Sequence, residues 1–168
     1  MHFTCRAVEL DFLDSAAWRF DNVVELDAAP GEVFDIFADG ESWPKWFDAV
    51  QRVIWTSPEP KGVGTTRTVA LAVTPLKVTV QERFLVWDPG QRFTFRFEGV
   101  GLPLFHAGIE DYRLQDLGGG RCRLTYTVCL EPTAVVRMAG PVTRPLFARM
   151  LRTGAQGLQS HVAASPRR

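Results

Sequence analysis

Residues 62–90 read GVGTTRTVALAVTPLKVTVQERFLVWDPG, and this stretch decides the fold prediction. Apolar and polar side chains alternate through both halves, which is typical of half-buried strands. A two-residue turn at Thr74-Pro75 would pair residues whose numbers add up to 149. Arg67 and Glu82, which both occupy apolar positions, would then face each other with Cβ atoms roughly 5 Å apart. Because charges are rarely buried unless they are paired or face a polar cavity, we expect an ion pair on the inner face of a sheet.

A second hairpin follows, and it places three phenylalanines on one face. Its turn, DPGQ at 88–91, combines a Pro that fixes φ with a Gly that tolerates positive φ. The next residues, RFTFRFE at 92–98, alternate strictly. If Trp87 faces Arg92, the cross-strand pairs are Phe93 with Val86, Phe95 with Phe84, and Phe97 with Glu82.

The remaining sequence predicts the order β, two short α, six β and one long α. We expect further strands at 18–26, 52–56, 108–115 and 121–130, helices starting at 30 and spanning 42–50, an apolar flap at 99–106, and a helix from about 143 to 164. The apolar stripe of the last helix comprises Val142, Leu146, Met150, Leu151, Leu158 and Val162. We expect it to lie on the concave face of an antiparallel sheet, where a cavity can remain. Residues 1–17 would form an extension or an extra strand, 18–164 one domain, and 165–168 a tail.

Composition limits the classes of function. The chain has 168 residues, is 46% hydrophobic, and balances nineteen basic against nineteen acidic residues. Zero net charge argues against general attraction to nucleic acid or to anionic membranes. We interpret the Arg-rich end as a solvated helix face, although a local patch stays open. With an odd count of three cysteines, acids in the N-terminal segment and no stretch of about 20 apolar residues, we expect a cytoplasmic protein without membrane insertion.

The run of segments resembles the START/Bet v-like SRPBCC superfamily, in particular its polyketide cyclase/dehydrase branch. The resemblance extends from about residue 18 to 162 and is carried by ELDAAPGEVFDIFAD, SWPKWFDAV, GVGTTRTV, VQERFLVWDPG and the terminal helix. It implies an α+β helix-grip fold, in which a seven-stranded curved antiparallel sheet wraps around a long C-terminal helix and encloses an apolar cavity. Members bind lipids, sterols or polyketides, and some catalyse polyketide cyclisation or dehydration. The resemblance implies no fixed catalytic set.

The candidate ligand-binding residues are the inward-facing polar and aromatic side chains. They are Arg67, Glu82, Tyr112, Tyr126, Trp43, Trp46, Phe84, Phe93, Phe95, Phe97, His106 and Glu110. Each has an alternative role: a structural ion pair for the charges, core packing for the aromatic residues, and surface exposure for His106 and Glu110. The two tyrosines face each other if residues around the turn at 118–120 pair to a sum of 238.

Three functions fit this pattern. We favour binding of a hydrophobic small molecule, with Arg67, Glu82 and the tyrosines as polar contacts. A polyketide cyclase or dehydratase is the alternative, with Arg67 stabilising an enolate and a tyrosine or glutamate moving protons. A protein-interaction module is the third, and an exposed apolar patch would favour it. No catalytic or dinucleotide-binding motif is found, and the three histidines are too scattered to suggest a metal site. We expect no cofactor, and a homodimer stays open.

Overall fold

The structure is a computed structural model that describes residues 2–73 and 75–165. In these residues, the segments with alternating apolar residues form a curved antiparallel sheet, and the segments with helical spacing form five helices. The strands are β1 (Phe3–Thr4), β2 (Trp18–Leu26), β3 (Val50–Trp55), β4 (Thr66–Val73), β5 (Leu76–Asp88), β6 (Arg92–Val100), β7 (Phe105–Gly118) and β8 (Arg121–Pro132). The helices are α1 (Phe12–Ser15), α2 (Pro30–Ala38), α3 (Trp43–Trp46), α4 (Ala134–Met138) and α5 (Gly140–Ala164). The second short helix is therefore one turn, shorter than the predicted 42–50.

The sheet has the predicted antiparallel connectivity, with strands in the order β2-β8-β7-β6-β5-β4-β3. In the hairpin of β4 and β5, Val69 pairs with Val80 and Arg67 with Glu82, so the predicted register is confirmed. Thr74, in the predicted turn of this hairpin, lies outside the described residues. Tyr112 of β7 also pairs with Tyr126 of β8, as expected.

The predicted register of β5 and β6 is correct at the inner pairs and wrong near the turn. Phe95 faces Phe84 and Phe97 faces Glu82, but the register shifts between Phe84 and Val86. Phe93 consequently faces Trp87 and not Val86, and Arg92 faces Asp88 and not Trp87. A bulge of this kind adds one residue to one strand, which strict alternation does not reveal.

Half of the apolar segment predicted as a flap at 99–106 is strand. β6 continues to Val100 and β7 begins at Phe105, so only four residues connect them. Beyond Arg96 and Ile109, however, no pairs join β6 to β7 in the described residues, which indicates that the two strands separate.

The N-terminal segment bridges these separated strands. β1 pairs with the end of β6, and the next two amides donate to each side: Cys5 N–H to the Glu98 carbonyl and Arg6 N–H to the His106 carbonyl. The segment then covers the outer face of the sheet, where Phe12 and Leu13 join a buried cluster with Ile109. Residues 1–17, expected to form an extension or an extra strand, contain the two-residue strand β1, the one-turn helix α1 and irregular backbone packed on the sheet.

Helix α5 crosses the inner face and approaches α3 closely. A Cβ on Gly157 would lie 2.0 Å from the Trp46 carbonyl oxygen, and one on Gly154 would lie 2.6 Å from the Phe47 ring. Leu151, Leu158 and Val162 are buried as predicted, whereas Val142 and Leu146 are exposed. The stripe prediction is therefore wrong for the first two turns of α5. The helix also begins at Gly140, before the predicted start, because a proline is tolerated in a first turn.

Candidate functional site

An internal cavity lies between the inner face of the sheet and the helices α3 and α5, and its volume is about 50 Å³. Strands β4 to β8 supply one wall, and α5 supplies Met150 and Leu151 on the other. The lining residues are Trp43, Phe47, Val50, Arg67, Val69, Leu71, Val80, Glu82, Phe95, Phe97, Glu110, Tyr112, Tyr126, Met150 and Leu151. The expected cavity is present, but it carries a group of ionisable side chains in a wall that is otherwise apolar.

Arg67 and Glu82 form a buried ion pair, as the hairpin register predicts. Arg67 Nε lies 2.5 Å from Glu82 Oε2, and the two side chains are only 1% and 5% exposed. Arg67 Nη1 is buried and has no hydrogen-bond partner among the described residues. A guanidinium can donate five hydrogen bonds, so this cavity-lining side chain retains an unused donor.

Aromatic rings surround the Arg67 guanidinium. Its Cζ atom lies 4.4 Å from the Trp43 ring centroid and 4.6 Å from that of Phe95. The rings of Phe84, Trp55 and Phe93 are 5.2, 5.5 and 5.6 Å away. A cation within about 6 Å of an aromatic ring is attracted by its quadrupole, and the effect grows when water is excluded. The rings therefore stabilise the charge and hold its position.

Glu110 is the acceptor at the centre of a second polar group. The hydroxyls of Tyr112 and Tyr126 both donate to Glu110 Oε2 at 2.9 Å. The two tyrosine rings stack with centroids 4.3 Å apart, because their strands pair directly at this position. Glu110 thus lies well inside β7 and is hydrogen-bonded, and it is not an exposed residue at a strand start.

The Arg67 guanidinium provides one positive charge for two nearby carboxyls, those of Glu82 and Glu110. The pKa of Glu82 is raised to about 7, chiefly by burial; the charge of Arg67 opposes this rise, and the nearby Glu110 adds to it. Burial likewise raises the pKa of Glu110, against the hydrogen bonds from Tyr126 and Tyr112. For the tyrosines, burial and then the charge of Glu110 hold the pKa well above its ordinary value. Since two buried carboxylates facing one guanidinium repel each other, the pair retains a proton near neutral pH.

The structure brings most of the predicted site residues together. Arg67, Glu82, Glu110, Tyr112, Tyr126, Trp43, Phe95 and Phe97 line the cavity. Phe84 and Phe93 contact the Arg67 guanidinium but do not line the cavity. The prediction missed Trp55, although it directly faces Arg67 across β3 and β4, and its aromatic character next to a buried charge was the available signal.

Two predicted residues lie apart from the cavity. Trp46 is buried against Trp43, with ring centroids 4.7 Å apart, and does not line the cavity. His106 is exposed on β7 and is also not among the lining residues. Within the described ranges, no group of three or more His, Cys, Asp or Glu is arranged to hold a metal ion.

Comparison with known proteins agrees with this architecture. A family described as "Polyketide cyclase / dehydrase and lipid transport" matches residues 17–163. The chain belongs to this family. The resemblance to the START/Bet v-like superfamily, and with it the helix-grip fold, is thereby confirmed. None of the helices in the part of the chain that the structure describes is long and apolar enough to cross a membrane.

Relatives of this family member include both uncharacterized and named proteins. An uncharacterized protein of Mycobacterium tuberculosis is 37% identical over 162 residues, covering 96% of this chain and 95% of the relative. The solved Zhui aromatase/cyclase of Streptomyces sp. R1128 aligns with a TM-score of 0.72 at 15% identity, over 87% of this chain and 93% of its own. A START superfamily protein of Mycobacterium smegmatis aligns with a TM-score of 0.73 at 14% identity, over 86% and 97%. At these identities the two structures show a shared fold.

Proposed function

We propose that this protein binds a hydrophobic small molecule, lipid-like or polycyclic, between its sheet and α5. The observation that carries the proposal is the buried Arg67 guanidinium, which lines the cavity and whose Nη1 has no hydrogen-bond partner among the described residues. Leaving a buried donor unpaired costs about 1–3 kcal/mol, so a ligand oxygen that accepts this bond would be favoured. The surrounding apolar wall would provide most of the affinity, and Arg67 and the tyrosines would orient the ligand.

The cavity must enlarge to admit such a ligand. Its volume of about 50 Å³ holds water molecules, whereas small-molecule pockets usually measure about 300–1,000 Å³. The wall formed by α5 is the one suited to move, because Met150 is only partly buried and its unbranched side chain adopts many shapes. Ligand binding on this account displaces α5 side chains from a sheet wall that stays in place.

Native mass spectrometry of the purified protein tests whether a ligand is retained and identifies its class. Titration calorimetry with 1,8-dihydroxyanthraquinone and with palmitate then separates a polycyclic ligand from a lipid-like one. Leu71→Phe, which fills the cavity, should lower the affinity for the bound probe at least tenfold. Leu76→Phe, at an exposed position of β5, is the matched control. Equal affinities of the two variants would rule out the cavity as the binding site.

Tyr126→Phe tests the polar contacts separately. The variant loses one hydroxyl that donates to Glu110 but keeps the stacked ring, so the fold should persist with a loss of about 0.5–1.5 kcal/mol in unfolding free energy. Affinity for a probe that carries an oxygen near Glu110 should fall. An unchanged affinity for an identified ligand would remove Tyr126 from the site.

Catalysis in the same cavity is a second candidate, and Glu110 favours it. A carboxyl whose pKa is raised by burial, and that is held in place by two tyrosine hydroxyls, is suited to act as a general acid or base. In a cyclisation with dehydration, one carbon–carbon bond forms and one water leaves, and Glu110 would move the proton. Incubation with a linear poly-keto thioester, followed by mass spectrometry, tests this. If the wild type forms product faster than buffer alone, Glu110→Gln should reduce the rate of product formation to the rate in buffer.

A further inference from the structure

Four large apolar side chains on α4 and the first half of α5 face outward. Val135, Met138, Val142 and Leu146 are 77%, 84%, 67% and 59% exposed. Val142 and Leu146 are four residues apart on α5, and a single turn residue, Ala139, separates α5 from Val135 and Met138 on α4. Four-residue spacing places side chains along one helix face. The other large apolar side chains exposed in the described residues are scattered over the rest of the chain.

Arginines without ion-pair partners accompany these apolar side chains. Arg137, Arg144, Arg149 and Arg152 are all exposed, and none forms an ion pair with another described residue. Elsewhere in the described chain, Arg52 is the one other arginine in this condition. Arg137 and Arg144 lie on the side of these helices that faces β2, where both line a recess with Trp18 and Phe20. We call Arg149 and Arg152, together with Val135, Met138, Val142 and Leu146, the α4–α5 patch.

Charge is distributed very unevenly along the chain, although it cancels overall. The sequence after Glu131 contains six arginines and no Asp or Glu, whereas the part up to Glu131 holds thirteen basic and all nineteen acidic residues. The α4–α5 patch is thus a cationic, partly apolar surface on a neutral protein. A binding partner that complements this patch has an anionic surface that also accepts apolar side chains.

We propose that the α4–α5 patch binds the surface of an anionic lipid bilayer. The apolar side chains would enter the boundary between headgroups and acyl chains, and the arginines would contact the anionic headgroups. Arginine stems lie along apolar surface while their charged ends reach polar groups, which suits the mixture of residues on this face. A bilayer offers both components over the whole patch. This docking goes beyond the proposed ligand binding and holds whether or not the cavity takes a ligand.

The patch and the cavity share one helix. Leu146 and Arg149 lie on the outward side of α5, while the next residues, Met150 and Leu151, line the cavity. A bilayer that holds α5 from outside would therefore act on the wall that must move for ligand entry.

Co-sedimentation with vesicles tests the docking directly. The full chain should sediment with vesicles of phosphatidylcholine containing phosphatidylglycerol, should not sediment with pure phosphatidylcholine, and should dissociate as salt is raised. The double variant Arg149→Gln/Arg152→Gln should lower the partition coefficient roughly fivefold per arginine removed. Arg52→Gln, at the other arginine without an ion-pair partner in the described chain, should leave it unchanged.

The apolar contribution has its own matched pair of variants. Val142→Ser/Leu146→Ser should lower the partition coefficient roughly tenfold or more, while Val63→Ser/Leu76→Ser, with the same side chains exposed elsewhere, should leave it unchanged. All four positions are exposed, so the fold should be retained, which near-UV circular dichroism checks. Failure to sediment with anionic vesicles at low salt would overturn the proposal. So would a dimer seen by sedimentation velocity that Leu146→Ser abolishes without any vesicle binding, which would assign the face to a second copy.

Discussion

At the scale of residues, Glu82→Ala tests whether the ion pair is buried in solution. The change removes the partner of a side chain that is 1% exposed, so the free energy of unfolding should fall by about 3–5 kcal/mol in urea denaturation. A loss below about 1 kcal/mol would mean that the pair is solvated.

Two controls accompany this variant. Glu131→Ala removes a carboxylate whose partner is the exposed Arg6, and it should cost no more than about 1 kcal/mol. Arg67→Met/Glu82→Leu replaces the whole pair by apolar side chains of similar size. This double variant should recover most of the lost stability, since no charge is left unpaired.

The raised pKa of Glu82 makes stability depend on pH within one window. Unfolded glutamate titrates near its ordinary value of 4.5, whereas the folded pair keeps its proton up to about pH 7. The folded state therefore binds more protons in this interval, and the free energy of unfolding should decrease as pH rises through it, by up to about 1.4 kcal/mol per pH unit. Groups such as Asp21, whose pKa is lowered by the hydrogen bond from Arg19, act below this window.

Urea unfolding between pH 4.5 and 8 measures this slope. Glu82→Gln removes the carboxyl whose pKa is raised to about 7, so the curve should be flatter than that of the wild type. Glu41→Gln, at an exposed position, should keep the wild-type slope. A wild-type stability that rises between pH 5 and 7 would contradict a shared proton.

The sequence allowed the central residues of the site to be predicted, because alternation and a short turn fix which residues face each other. Arg67 was found as a charge in an apolar position, and Tyr112 and Tyr126 as a direct cross-strand pair. The hydrogen bonds to Glu110 could not be predicted in this way. They depend on side-chain directions within β7 and β8, which sequence spacing leaves open.

At the scale of elements, Gly157→Ala tests the contact between α3 and α5. Alanine is favoured over glycine within helices by about 1 kcal/mol, but a Cβ at this position would lie 2.0 Å from the Trp46 carbonyl oxygen. We expect a net loss of about 1–3 kcal/mol in unfolding free energy, because one backbone must move away from the other.

Gly31→Ala is the matched control, since Gly31 is helical and a methyl group added there would have no other atom within 4 Å. Its stability should be unchanged or slightly increased. Equal stability of Gly157→Ala and the wild type in thermal unfolding would show that the two helices do not approach this closely.

Element boundaries were predicted well within the sheet and poorly where elements separate or end. β2 runs over Trp18–Leu26 as expected, because turn residues and alternation agree there. The segment at 99–106 looked like a flap because Gly and Pro interrupt it, yet both ends pair as strands. Similarly, Val142 continues the apolar spacing of α5, but the helix extends past the part that packs on the sheet, and spacing alone does not show where packing ends.

At the scale of the whole molecule, Phe12→Ala tests whether the N-terminal segment is part of the folded unit. Phe12 is buried on the outer face of the sheet, in a cluster with Leu13 and Ile109. The free energy of unfolding should fall by about 3 kcal/mol in a single cooperative transition. Phe3→Ala, at an exposed position of β1, should cost much less. A Phe12→Ala variant as stable as the wild type would show that the segment detaches.

The role of this segment depends on a feature far away in the sequence. β6 and β7 separate beyond Arg96, and the amides of Cys5 and Arg6 donate hydrogen bonds to one strand each. Nothing within residues 1–17 indicates that gap, since it depends on where the pairing of β6 with β7 ends. Such long-range pairing is therefore beyond prediction from local pattern.

The tryptophan rings near Arg67 also make the intrinsic fluorescence of the protein sensitive to changes at the site. Trp43 and Trp55 contact the guanidinium, and Trp43 lies against Trp46 with ring centroids 4.7 Å apart. A fixed cation beside an indole shifts its emission wavelength, and two indoles this close couple their ultraviolet transitions. Any molecule that reaches the guanidinium, or any proton that leaves the carboxyl pair, will therefore change the intrinsic fluorescence without an added label.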